Sequence, residues 1–261
     1  MFSQADFADG IISGLIEHNP DASRLFEPKL ILNDVANGRK TLEFVLDNIR
    51  SCESFVMAVA FVTRSGVACL HQTLKEFGQR GGSGKILVST YLNFSDPTAI
   101  KALSKFTGIE VSFVNEPNFH GKIYLFEHDD YAQIMIGSSN LTQNALGKNT
   151  EVNLGLCLQR DSSLYQQTMS QLNQWVGKAT DVSEENLDSY EQAWKEAKER
   201  IRSAPLTVVP DEIFAETAQT LQTSASVDVL TPNQMQHPAL DRLENVRKAG
   251  NTRSLIISAT G

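Results

Sequence analysis

Two uninterrupted apolar runs of strand length restrict the fold more than anything else in the chain. Residues 55–62 (FVMAVAFV) and 85–91 (KILVSTY) lack polar alternation, so a strand built from either is covered on both faces. Between them, residues 65–79 set Val67, Leu70, Leu74 and Phe77 on one helical stripe. Strand, amphipathic helix, strand is the repeating unit of a layered α/β domain.

The alternation continues outwards. Residues 6–18 read as a short amphipathic helix closed by Asn19-Pro20, and residues 29–33 as a first short strand. Leu42, Val45, Leu46 and Ile49 give residues 39–52 a helical period. Asp96-Pro97 starts a helix with a cap and a proline at its first position. Residues 110–114 and 151–158 read as strands, and 162–176 as a helix. The expectation is an α/β fold: a mixed, largely parallel β-sheet flanked by helices, with a helical C-terminal extension. The GGSG at 81–84 precedes a strand instead of opening a helix, so it reads as a flexible turn and not a phosphate loop.

Net charge enters when partners are considered. At −8, the chain lacks the basic surface that nucleic-acid binders use to displace counterions, so any such site is a local basic groove on an acidic body. No run approaches the ~18 apolar residues of a membrane span. The acidic MFSQADFADG start is unlike a signal peptide. Cys52, Cys69 and Cys157 are far apart and form no CxxC pair. They read as small buried hydrophobes in a protein of the reducing cytoplasm, without disulfides or a zinc site.

Residues 118–140 (NFHGKIYLFEHDDYAQIMIGSSN) carry the chemistry. His120 and Lys122 share one apolar run, Gly137, Ser138 and Asn140 end the next, and Asp129–Tyr131 break them. Residues two apart on a strand face the same way. A hairpin would therefore bring a histidine, a lysine, a hydroxyl and an amide to one spot. Such a cluster suits a phosphate: Lys122 supplies charge, Ser138 and Asn140 supply donors, and His120 attacks or moves protons.

These residues resemble the HxK…GSxN signature of the phospholipase D superfamily, with its metal-independent nucleases as the nearest branch. The resemblance implies that His120 is a nucleophile forming a phosphohistidine and that Lys122 and Asn140 hold phosphoryl oxygens, supported by Ser138. It places the histidine-orienting glutamate, eleven residues after the asparagine, at Glu151. One position departs: where the family has aspartate five residues after the lysine, this chain has Glu127, and the gap to Gly137 is longer than usual. His18, His71, His128 and His237 have no such company and read as structural or surface residues.

One chain carries one copy of the motif. In-line displacement at phosphorus wants a nucleophile on one side and an acid on the leaving oxygen, and a single His120 cannot occupy both places. The expectation is a homodimer with the active site at its two-fold interface, and no metal or other cofactor, since lysines and amides carry the charge.

The expected division is a nuclease-like domain over 1–180, a charged helix and connector over 181–228, and a different beginning over 229–261. The last resembles the entry of a superfamily-two DEAD/DEAH-type helicase. Gln236 with Ala239-Leu240 matches its Q-x-x-A-L pattern, and Ala259, Thr260 and Gly261 match the first half of its phosphate loop. The implied protein is a nuclease–helicase fusion whose ATP-binding lysine lies beyond this chain, so no ATPase activity is expected of it. The leading functional reading is a metal-independent DNA phosphodiesterase. The alternative is a catalytically weak or inactive module that grips a phosphate or strand for the helicase. Lipid phosphodiester hydrolysis ranks below both.

Overall fold

The structure, a computed structural model, describes residues 2–33 and 40–203. Helix α1 (Gln4–Leu15) begins with a capping box in which Ser3 and Asp6 satisfy each other's backbone amides. Strand β1 (Lys29–Leu32) leads to α2 (Thr41–Ser51), which turns Val45, Asn48 and Ile49 inward. After β2 (Ser54–Val59), the Thr63 hydroxyl accepts from the Gly66 amide and opens α3 (Arg64–Gln79). Strand β3 (Ser83–Ser89) starts inside the GGSG segment, because Ser83 and Gly84 already pair with Ser54 and Phe55. Gly81, at φ 85°, makes the turn that precedes it. Helix α4 (Pro97–Leu103) opens on an Asp96 cap with proline in its first turn. Then follow β4 (Ile109–Val114), β5 (Ile123–Glu127), β6 (Ala132–Gly137), α5 (Gln143–Gly147), β7 (Val152–Leu158), α6 (Ser163–Lys178), β8 (Thr180–Asp181) and α7 (Glu184–Ser203).

The strands form one mixed sheet in the order β1-β7-β6-β5-β2-β3-β4-β8. The expected α/β layering holds, but the expected parallel bias does not. Only β2–β3 and β3–β4 are parallel; the remaining neighbours are antiparallel. Parallel pairing needs a long crossover packed on the sheet, and α3 and α4 provide the two crossovers. After β4 the chain doubles back instead. At the β5–β6 turn the His128 amide donates to the Tyr131 carbonyl at 2.9 Å, which closes the expected hairpin.

Both faces of the central strands are covered. Met57, Val59, Ile86, Val88, Tyr124 and Phe126 pack with residues of α2, α3 and α4 on one side. Ala58, Leu87, Leu125 and Ile134 pack with Leu172 of α6 on the other. Helix α7, charged as its sequence is, also belongs to this body. Tyr190 is buried, its ring lies 5.1 Å from that of Phe113, and its hydroxyl donates to the Ser95 carbonyl at 3.0 Å. One compact unit accordingly spans Met1–Ala204. The expected connector to 228 and the 229–261 segment, with Gln236, Thr260 and Gly261, lie outside the described residues. All three cysteines are free; burial pushes the Cys52 and Cys157 thiols up to about 12. Among the described residues no helix is long and apolar enough to cross a membrane.

Strand β2 is where the chain order reverses: β3 and β4 lie on one side of it, β5 to β7 on the other. At such a point the carboxyl ends of the parallel strands leave a crevice, which is where open α/β sheets bind ligands. The connector over 115–122 runs from β4 back to β5 at this end of the sheet, and it carries His120 and Lys122. Opposite it, α3 meets the segment after β6 so closely that a Cβ on Gly66 would be driven into the Leu141 carbonyl. Gly66→Ala is therefore expected to destabilise the protein by about 1–3 kcal/mol in urea unfolding. A loss below about 0.5 kcal/mol, the range of ordinary surface substitutions, would show that the contact yields freely.

Candidate active site

His120 and Lys122 precede β5, and Ser138 and Asn140 follow β6, so neither pair stands on a strand face as the hairpin reading expected. They converge because β5 and β6 are antiparallel neighbours: Ile123 pairs with Ile136, and the Gly137 amide donates to the Lys122 carbonyl at 3.3 Å. Strand end meets strand start.

His120 is exposed, whereas Lys122 is only 7% exposed. The Lys122 Nζ lies 2.8 Å from His120 Nδ1, 3.1 Å from Nε2 and 3.0 Å from the His120 carbonyl oxygen. The ring of Phe61, just past β2, meets the imidazole edge-on at a centroid distance of 5.6 Å. Glu151 is buried at the start of β7 and accepts the Ser138 hydroxyl hydrogen bond. The Val152 amide donates back to Ser138 Oγ at 3.0 Å. Asn140 is buried too, and its Oδ1 accepts from the Phe61 amide at 3.0 Å. This ties the segment after β6 to the end of β2, alongside a parallel bridge between Val62 and Leu141. His120, Lys122, Ser138, Asn140 and Glu151 thus gather at one end of the sheet.

Glu127 does not join them. It ends β5, roughly 16 Å along the strand from Lys122 at the usual rise per residue. There its carboxylate pairs with Arg160 Nε at 3.0 Å and accepts from the Tyr165 hydroxyl at 2.7 Å. Burial and the neighbouring Glu127 charge push the Tyr165 hydroxyl up to about 12. Arg160 also donates to the His128 and Asp129 carbonyls. This makes Glu127 a clamp at the opposite end of the hairpin, away from Lys122. His128, beside it, is buried, lies 3.0 Å from Asn48 Oδ1 and stacks on Tyr131.

Sequence reasoning passed over the group that holds the site together. Ser139, between Ser138 and Asn140, is fully buried. Its amide donates to Asn153 Oδ1 at 3.2 Å, and its hydroxyl lies 2.9 Å from Asn153 Nδ2 and 3.4 Å from Thr41 Oγ1. Asn153 Nδ2 also donates to Thr41 Oγ1 at 3.2 Å. The Ser139 carbonyl accepts from the Tyr124 hydroxyl at 3.1 Å. Burial, reinforced by the Glu151 charge, pushes the Tyr124 pKa up, so its hydroxyl stays a donor. Asn33 adds a second layer, accepting from the Thr41 amide at 2.9 Å and donating to the Ala145 and Asn149 carbonyls. A signal was present: an asparagine within the apolar EVNLGLCL strand must find partners if the strand is buried.

The arrangement offers an imidazole open to solvent, an ammonium against it, and a hydroxyl backed by a carboxylate. Among the described residues no three His, Cys, Asp or Glu side chains are grouped as metal ligands. Removing Asn153 would orphan the Ser139 amide and take away the shortest of its hydroxyl's contacts, leaving that hydroxyl to Thr41 and the Ala145 carbonyl. Asn153→Ala is expected to cost about 2 kcal/mol or more in chemical denaturation, whereas the exposed neighbour Val152→Ala should cost less than half as much. Equal losses would remove the network from its structural role.

No curated protein sequence matches the chain. Among solved structures, NucT from Helicobacter pylori is 19% identical with a TM-score of 0.48, over 60% of this chain and 99% of that one. Nuc from Salmonella typhimurium, described as a phospholipase D family member, is 21% identical with a TM-score of 0.47, over the same shares. Phosphatidylserine synthase from Haemophilus influenzae Rd KW20 is 16% identical with a TM-score of 0.49, over 67% of this chain and 45% of that one. The family model described as the cardiolipin synthase, PLD-like domain matches residues 45–175, from α2 through α6 and across every candidate site residue except the tail. The chain belongs to the phospholipase D-like family.

Proposed function

We propose that the chain is a metal-independent phosphodiesterase that cleaves nucleic acid, DNA foremost, through a phosphohistidine on His120. The observation that carries this reading is the meeting of His120, Lys122, Ser138, Asn140 and Glu151 at the carboxyl end of the switch-point strands. A His120 ring nitrogen attacks phosphorus as the P–O bond to the leaving group breaks. Lys122 and the amide of Asn140 hold the non-bridging oxygens, where charge grows in the transition state. Ser138, held by Glu151, lines the same wall, and Glu151 sets the orientation of the imidazole. The leaving oxygen takes its proton from a second imidazolium, the partner's His120. In the second half, that now neutral imidazole removes a proton from water, whose oxygen attacks phosphorus and breaks the P–N bond, returning His120 and a phosphomonoester.

The second histidine makes a homodimer part of the reading, and a surface beside the site supports it. Leu30, Leu154 and Ile136 are register partners in a row across β1, β7 and β6, with Val152 beside them on the same face. They are 59, 45, 41 and 53% exposed respectively. Helix α6 covers this face farther along; the row itself is open. Two copies of charge −8 repel, so an uncharged row next to Ser138 and Glu151 is the place for them to meet. The helicase part rests on Gln236, Thr260 and Gly261: in the full protein a motor would deliver the strand to this site.

On labelled single-stranded DNA in EDTA, the wild-type chain is expected to cut, and His120→Ala to lose about 10³-fold or more. Acid-labile phosphate should be trapped on His120 by mass spectrometry. Binding without cleavage would leave a phosphate-gripping module, and undiminished cutting by His120→Ala would sink the proposed nucleophile. Light scattering of Leu154→Glu should show a monomer that no longer cuts. A monomer with full activity would refute the shared site.

A further inference from the structure

Next to the nucleophile lies a segment that the reaction above does not use. Between β3 and α4 the chain makes a 3₁₀ turn (Tyr91–Asn93) followed by Phe94. Leu92 and Asn93 are both left-handed, at φ 57° and 54°, a region that costs any residue with a side chain and that leucine rarely visits. Two such residues in succession persist only where their surroundings dictate them.

The surroundings do so with buried hydroxyls. Ser89 Oγ accepts from the Tyr91 amide at 3.0 Å and donates to the Phe119 carbonyl at 3.1 Å, linking the turn to the connector that carries His120. Ser95 Oγ accepts from the Val62 amide at 3.2 Å, and the Asp96 amide donates to the Val62 carbonyl at 2.8 Å. From α7, the Tyr190 hydroxyl holds the Ser95 carbonyl. This bracing presents one side chain. Phe94 is half-buried, its ring 5.4 Å from that of Phe61, and Phe61 is the ring that touches His120. The rings of His120, Phe61 and Phe94 therefore stand in series, and the last is an aromatic surface that water still reaches.

We propose that Phe94 is a stacking platform for the base next to the scissile phosphate, which makes the preferred substrate a nucleic-acid strand with an unpaired base at that point. The proposal rests on the nuclease reading and narrows it. A flat aromatic surface one ring beyond the nucleophile adds little for a glycerophosphate, whose substituents have no π-face. For an unpaired base it adds sequence-independent grip on a body too acidic to rely on phosphate contacts alone. In a duplex the base is stacked within its own helix and cannot use the platform.

The test compares two labelled oligomers of equal length and backbone in fluorescence anisotropy: a single-stranded DNA, and the same deoxyribose-phosphate chain with every base replaced by an abasic analogue. The wild-type chain is expected to bind the base-bearing strand about tenfold more tightly. Phe94→Leu, which keeps apolar cover over Phe61 without a π-face, should bring that preference close to one, and Phe94→Trp should restore it. A merely structural Phe94 would change binding to both strands together and leave their ratio alone. If wild type shows no preference, or Phe94→Leu keeps it, the platform is overturned, whatever the His120→Ala assay says of the nuclease. If the ratio behaves as expected while no variant cleaves DNA, the platform stands and the catalytic reading falls.

Discussion

Everything at the site hangs on how the chain leaves β6. Gly137, Ser138, Ser139 and Asn140 must turn off the sheet, yet Ser139 is buried where water cannot serve its backbone. An unpaired buried polar group costs about 1–3 kcal/mol, so the turn can exist only if the interior answers each group of Ser139. Asn153 answers two of them, Tyr124 the carbonyl and Thr41 the hydroxyl. With Ser139 pinned, its neighbours have little freedom. Ser138 is left against Glu151, and Asn140 reaches the Phe61 amide. Two candidate site residues are thus placed by the buried neighbour between them.

The same economy governs the connector before β5. Strand order reverses at β2, and the chain must cross the strand ends to resume at β5. That crossing sets His120 above the carboxyl ends of parallel strands, with Phe61 and Lys122 against its ring. Position, not unusual residue type, makes this histidine different from His128. The latter belongs to the same hairpin but is buried at its other end, where desolvation pulls its pKa down.

Much of this was legible in local patterns. The uninterrupted runs at 55–62 and 85–91 became strands covered on both faces, and the stripe of Val67, Leu70, Leu74 and Phe77 became α3. Asp96-Pro97 opened a helix, and the hairpin closed at its acidic break. Each of these rests on interactions within a few residues, which a sequence displays directly. Strand direction does not. Whether β5, β6 and β7 run parallel or antiparallel depends on where each pairs, and the alternation of strand and helix overstated the parallel share.

For the site, the chain alone led to the expectation that His120 and Lys122, the GSSN at the end of the next run and the carboxylate of Glu151 would come together, and these residues do gather at one end of the sheet. Their order along the chain is enough for that, because antiparallel neighbours bring a strand's start to the preceding strand's end. Only the tertiary structure decided that Glu127 faces Arg160 and Tyr165 instead, since five extended residues carry it to the far end of β5. Only the tertiary structure could reveal Asn153 with Thr41, 112 residues apart in sequence, and Phe94 beside Phe61. Contacts at such separations are written in no local period; they exist because burial forces polar groups to find partners and rings to find surfaces, wherever the chain has placed them.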